Sequence, residues 1–101
     1  MRKITREAIN AFIAGVNFNK SNTSVERSPL GNAVVLKLHG NAIARYTDGE
    51  YNTTLEVCDG GWQSNTTKER LNGIPHVSVN QKNFKWFLNG RQWNGNWAKV
   101  F

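Results

Sequence analysis

The chain has 101 residues, a length that holds one core and little else. Thirteen Lys and Arg against seven Asp and Glu leave a net charge of +6, a surplus that draws phosphate polymers or acidic proteins. A single cysteine, Cys58, excludes an intramolecular disulfide and fits a reducing cytosol. With isolated His39 and His76 it makes no metal set, because neither a CxxC nor an HxxxH spacing occurs.

The opening "MRKITREAINAFIAGV" is basic and then apolar, but Arg6, Glu7 and Asn10 interrupt the run and no small-residue cleavage site follows. It reads as a soluble, unprocessed start, and no stretch approaches the roughly eighteen apolar residues of a membrane span. The spacing predicts an amphipathic helix over residues 5–16, with Thr5 as N-cap and Ile9, Phe12, Ile13 and Val16 on one face. Arg2, Lys3 and Arg6 crowd its positive end, a small cost that solvent screens or an anion relieves. "NFNKSN" then reads as a loop.

"AVVLKLHGNAIARY" contains two β-rich runs joined at Gly40-Asn41, a hairpin signal. With those residues at the turn centre, Leu38 faces Ile43 and Val35 faces Tyr46. "TTLEVC" is a third strand with Leu55 and Val57 on one side. A strict Asp48-Gly49 turn would set Leu55 opposite Ala42, and a longer loop or a bulge is the alternative.

"SNTTKERLNGIP" carries start and stop signals around a two-turn helix. Thr66 as N-cap and Glu69 make a capping box, Gly73 serves as the left-handed end, Ile74 packs back and Pro75 blocks continuation. So short a helix is marginal alone, and Leu71 and Trp62 are its expected anchors. "HVSV" follows as a strand with Val77 and Val79 inward. "FKWFL" is another, closed by Asn89-Gly90, and Asn94-Gly95 precedes "NWAKVF". The predicted class is a single α+β domain over residues 1–101. Its sheet is largely antiparallel, in the order α-βββ-α-ββ with a possible final strand.

No nucleophile–base pair, P-loop or carboxylate dyad appears, so the expectation is a non-enzyme without cofactor or metal. Cys58 reads as a small buried hydrophobe. Two surfaces are candidates for binding. At the start of the short helix, Thr66, Lys68 and Arg70 place hydroxyl and charge beside unpaired N–H groups, as an anion site or as ordinary capping. In the last third, Lys82, Lys85, Arg91 and Lys99 interleave with Phe84, Trp86, Phe87, Trp93 and Trp97, the mixture that single-strand binders use. If Phe84, Trp86 and Leu88 point inward, Lys85 and Phe87 share the open face. Trp93 and Trp97 are then the expected exposed pair, equally able to anchor a protein partner. The strand and helix order is also that of a double-stranded RNA-binding domain. Such domains open a long second helix with a basic patch, and "TTKERLNG" is short and mildly basic.

The run "NTTKERLNGIP.VSV.QKNF.WFLNG..W.G.W", with "ITREAINAF" and "LHGN.IA", resembles a family of small tailed-bacteriophage proteins over nearly the whole chain. The resemblance implies a phage protein at work in the host bacterial cytoplasm and brings no catalytic residues with it. Where that family often has an acidic residue before the last Gly-Trp part, Asn94 makes this chain more basic. The leading expectation is a phage accessory protein binding DNA or RNA through Thr66, Lys68, Arg70, Lys82, Lys85 and Arg91. The alternative is a module that captures and inhibits an acidic host enzyme or defence complex through Trp93 and Trp97.

Overall fold

The computed structural model describes residues 2–29, 31–49 and 52–101. The first helix, α1 (Lys3–Ala14), buries Thr5, Ala8, Ile9, Ala11 and Phe12 and ends at Gly15, whose φ of 73° allows the left-handed cap. Ile13 and Val16 are exposed instead of joining that stripe. Ile13 lies about 100° around the helix from Phe12, and Val16 lies past the cap. Thr5 is not the N-cap. The helix starts two residues earlier, behind Arg2, which makes no side-chain capping bond. Thr5 is thereby free to turn its hydroxyl into the core.

Six strands form an antiparallel sheet in the order β1-β2-β3-β4-β5-β9. They are β1 (Phe18–Lys20), β2 (Thr23–Arg27), β3 (Ala33–Leu38), β4 (Asn41–Asp48), β5 (Thr53–Val57) and β9 (Ala98–Lys99). The segment read as a loop supplies β1. The hairpin β1–β2 has few apolar residues of its own, and β2 is held by pairing Val25 with Leu36 and Thr23 with Leu38. The β3–β4 turn centre is His39-Gly40, one residue earlier than Gly40-Asn41, with Leu38 opposite Asn41 and Val34 opposite Tyr46. Both centre residues have positive φ, 52° and 79°, as the tight mirror-image turn requires. A register shift between Leu36 and Lys37 absorbs the extra residue, so that Ile43 and Ala44 are both buried. Asp48 pairs with Thr53, so a longer loop joins β4 to β5 and sets Leu55 opposite Tyr46.

The second helix, α2 (Asn65–Asn72), begins at Ser64, whose Oγ accepts from Thr67 N at 3.1 Å. The cap is therefore two residues before Thr66, and Glu69 is released for another use. Leu71 and Ile74 are buried as expected, but Trp62 is 75 % exposed and anchors nothing with its ring. Only its carbonyl takes part, accepting from the Thr67 hydroxyl at 3.1 Å. Gly73 has φ −75°, an ordinary helical value. Glycine is required there by close packing, since a Cβ would stand 2.8 Å from Thr5 Cγ2 and 3.0 Å from Ile9 Cγ1. Gly73→Ala is therefore expected to cost about 1–3 kcal/mol, read as a lower urea midpoint with unchanged slope.

A three-stranded sheet follows: β6 (Val79–Lys82), β7 (Lys85–Leu88) and β8 (Arg91–Gln92), in the order β6-β7-β8. Asn72 docks it to α2, its side chain bonding both N and O of Val79 at 2.6 and 2.8 Å. Val77 is buried as expected, yet the strand begins only at Val79. The Asn89 side chain takes over the pairing before it, accepting from Ser78 N and donating to His76 O. Asn94-Gly95 joins no hairpin. The chain leaves the second sheet there and pairs as β9 with β5. One hydrophobic cluster runs through both sheets, from Phe12 and Leu36 to Trp86 and Trp93. The architecture is a small α+β domain with mostly antiparallel sheets.

Candidate nucleic-acid interface

Strand alternation gives each sheet an inner and an outer face, and the two outer faces differ in charge. On the larger sheet two cations are neutralised in place, with Lys37 Nζ 2.9 Å from Glu26 and Arg45 Nη2 2.9 Å from Glu56, and Lys99 on β9 stands in register opposite that same Glu56. On the smaller sheet Val79, Trp86 and Leu88 point inward, so Asn80, Lys82, Lys85, Phe87 and Gln92 form the outer face. Among the described residues no carboxylate lies within 4 Å of Lys82, Lys85, Arg91 or Lys99. The cause is in the sequence. Residues 60–101 hold six Lys or Arg and one carboxylate, Glu69, whereas residues 1–59 hold seven against six.

The six nominated nucleic-acid contacts do not form one patch. Lys82 and Lys85 do come together, directly opposite each other at the end of the β6–β7 hairpin. Arg91 pairs with Leu88 and looks toward the gap between the sheets, where it and Lys99 line a cleft of about 530 Å³ beside Trp93. Lys68 bends onto the inner edge of the small sheet, donating to Gln81 Oε1 at 2.9 Å with its ammonium 5.4 Å from the Trp86 ring centroid. Thr66 opens onto a separate groove of about 420 Å³ with Leu38, Ile43, Trp62 and Asp59. Among the described residues no Lys or Arg lines that groove.

Arg70 is a correction. It is 1 % exposed, the largest fully buried side chain, and cannot reach a phosphate. Its Nε donates to Thr23 Oγ1 at 3.0 Å and its Nη1 to Thr5 Oγ1 at 2.8 Å, while Nη1 also pairs with Glu69. Glu69, released from capping, in turn accepts from the Thr5 hydroxyl. This network joins α2, α1 and β2.

The aromatic pair needs the same correction in half. Trp93 is buried, its Nε1 donating to Asn96 O at 2.7 Å and its ring 6.3 Å from Trp86. It sits opposite inward-facing Trp86, to which its N–H donates at 2.8 Å. Trp97 is exposed as expected, lying under the Arg45 guanidinium at 4.7 Å on the ion-paired face. Phe84, read as inward, is 95 % exposed at the tip of the β6–β7 hairpin. Phe87 is half-buried on the outer face beside Lys85, as the alternation of β7 required.

Cys58 is buried, its Sγ donating to Ala42 O at 3.1 Å. Burial, with Asp59 adding to it, pushes the thiol pKa up, and the protonated form is a poor nucleophile. Among the described residues no cluster of His, Cys, Asp or Glu could hold a metal ion, and no helix is long and apolar enough to cross a membrane.

Fold and surface together define a small α+β protein with one ion-paired sheet face and one basic, carboxylate-free face. The chain belongs to the Kyanoviridae Gp96 family of tailed-phage proteins, whose model matches residues 1–99. No curated protein and no solved structure matches it significantly.

Proposed function

We propose that this phage protein binds nucleic acid in the host cytoplasm through the outer face of the β6-β7-β8 sheet, without catalysis. The carrying observation is the unneutralised Lys82–Lys85 pair beside a half-buried aromatic ring, Phe87, on a face with no carboxylate among the described residues. Cations that lack a partner within the fold are free to displace counterions from phosphates. Asn80 and Gln92 flank Phe87 in the register and offer amide groups for base edges. Around the edge strand, Arg91 extends the positive track into the cleft between the sheets. The competing reading, capture of an acidic host protein, loses one of its two anchors with the burial of Trp93.

The test is a polarisation titration of labelled 20-mer oligonucleotides across a salt series. Three phosphate contacts, from Lys82, Lys85 and Arg91, predict that log K falls with log salt at a slope of about −2 for a single strand. No binding at low salt, or a slope near zero, rejects the reading. A host protein retained in a pull-down after nuclease treatment would support the competing one.

A further inference from the structure

Three β-hairpin turns among the described residues place both centre residues at positive φ. In His39-Gly40 and Asn89-Gly90 the second centre residue is glycine, at φ 79° and 86°. In the third, between Lys82 and Lys85, the pair is Asn83-Phe84, at φ 53° and 64°. Glycine takes this conformation without a Cβ clash, whereas a bulky side chain there is an outlier. Phe84 therefore occupies the least suitable backbone site for a phenylalanine, and packing does not compensate, because its side chain is 95 % exposed. A strained, solvent-facing ring in a turn flanked by two cations has no role in the core. Residues kept in such conformations gather where a ligand is met.

From this we infer that Phe84 is a stacking residue for an unpaired base, held at the hairpin tip while Lys82 and Lys85 hold the flanking phosphates. The inference rests on the nucleic-acid reading above and deepens it to single-stranded DNA or RNA. A duplex offers base faces only at its ends, whereas a single strand offers one at every nucleotide. A membrane surface fits the tip less well. One ring buries too little to anchor a protein, and the neighbouring outer-face positions Asn80 and Gln92 are polar.

Three proteins separate these possibilities: the wild type, Phe84→Gly and Phe84→Trp, each titrated against a labelled dT20 strand, a blunt duplex and vesicles rich in anionic lipid. Phe84→Gly should lose about tenfold or more in affinity for the single strand. It should bind the duplex nearly unchanged and keep the wild-type salt slope, since stacking is not a counterion effect. Phe84→Trp should restore single-strand binding. Phe84→Gly should also melt several degrees higher than the wild type, because it relieves the turn, so a loss of binding cannot be put down to misfolding. Wild-type binding to dT20 that survives Phe84→Gly overturns the stacking role and leaves the basic face standing. Equal loss on strand and duplex also overturns it. So does Phe84-dependent binding to vesicles with none to dT20. A wild type that binds neither strand nor duplex overturns both readings.

Discussion

Arg70→Ala should cost about 2–5 kcal/mol of folding stability, the largest effect of any single substitution proposed, because it removes a fully buried side chain together with its hydrogen bonds and its ion pair to the partly exposed Glu69. In a domain whose total stability is of the order of 5–15 kcal/mol, that brings unfolding within reach of ordinary temperatures. The loss has two origins. The side chain is 1 % exposed, so its removal opens a cavity between α1, α2 and β2. Its guanidinium also satisfies acceptors on three segments at once, Thr23 Oγ1, Thr5 Oγ1 and Glu69, with Asn22 Oδ1 at 3.4 Å. Lysine cannot substitute, since one flexible ammonium does not span that fork, and Arg70→Lys should recover less than half of the loss. Thermal unfolding followed by tryptophan fluorescence reads both. If Arg70→Ala melted like the wild type and instead lost affinity for oligonucleotides, Arg70 would be a surface contact and the buried network wrong.

The sequence did contain the sign of that burial. Thr67, Arg70, Leu71 and Ile74 recur at i, i+3, i+4 and i+7, the spacing of a buried helical stripe, and all four are buried. The charge of Arg70 argued for solvent and outweighed the periodicity. Trp93 was legible in the same way. With Asn89-Gly90 as the turn centre, pairing runs Leu88 to Arg91 and Phe87 to Gln92, which carries Trp93 to the position opposite inward Trp86. Helix α2 was found because its end signals are local, and its cap was misplaced because two hydroxyl residues, Ser64 and Thr66, offered competing starts. The hairpin β1–β2 and the use of Glu69 in the Arg70 network had no local sign. Both depend on partners distant in the chain: β3 for β2, and Thr5, sixty-four positions away, for Glu69. Phe84 was hidden because a turn without glycine or proline gives no punctuation.

Reversing the charge of both hairpin lysines, Lys82→Glu with Lys85→Glu, should weaken oligonucleotide binding on the order of a hundredfold at about 50 mM salt. It should also reduce the salt slope by about 1.4 for a single strand. The argument turns on where these two charges stand. Lys82 and Lys85 are paired directly across the hairpin, and like charges so placed repel. Relieving them therefore separates stability from binding. Lys82→Glu alone puts a carboxylate opposite Lys85 and should stabilise the hairpin by about 0.2–1 kcal/mol while already weakening the oligonucleotide complex. The double variant restores a like-charge pair of opposite sign, so its melting temperature should return to the wild-type value while its affinity falls furthest. That pattern, with the order of stabilities and the order of affinities uncoupled, is not produced by general unfolding. Lys37→Glu on the larger sheet serves as the comparison. It also changes net charge by two, but its wild-type partner Glu26 already neutralises it, so its effect on affinity should be small beside that of Lys82→Glu. Equal losses from the two would mean that total charge alone governs binding, and that the carboxylate-free face confers nothing.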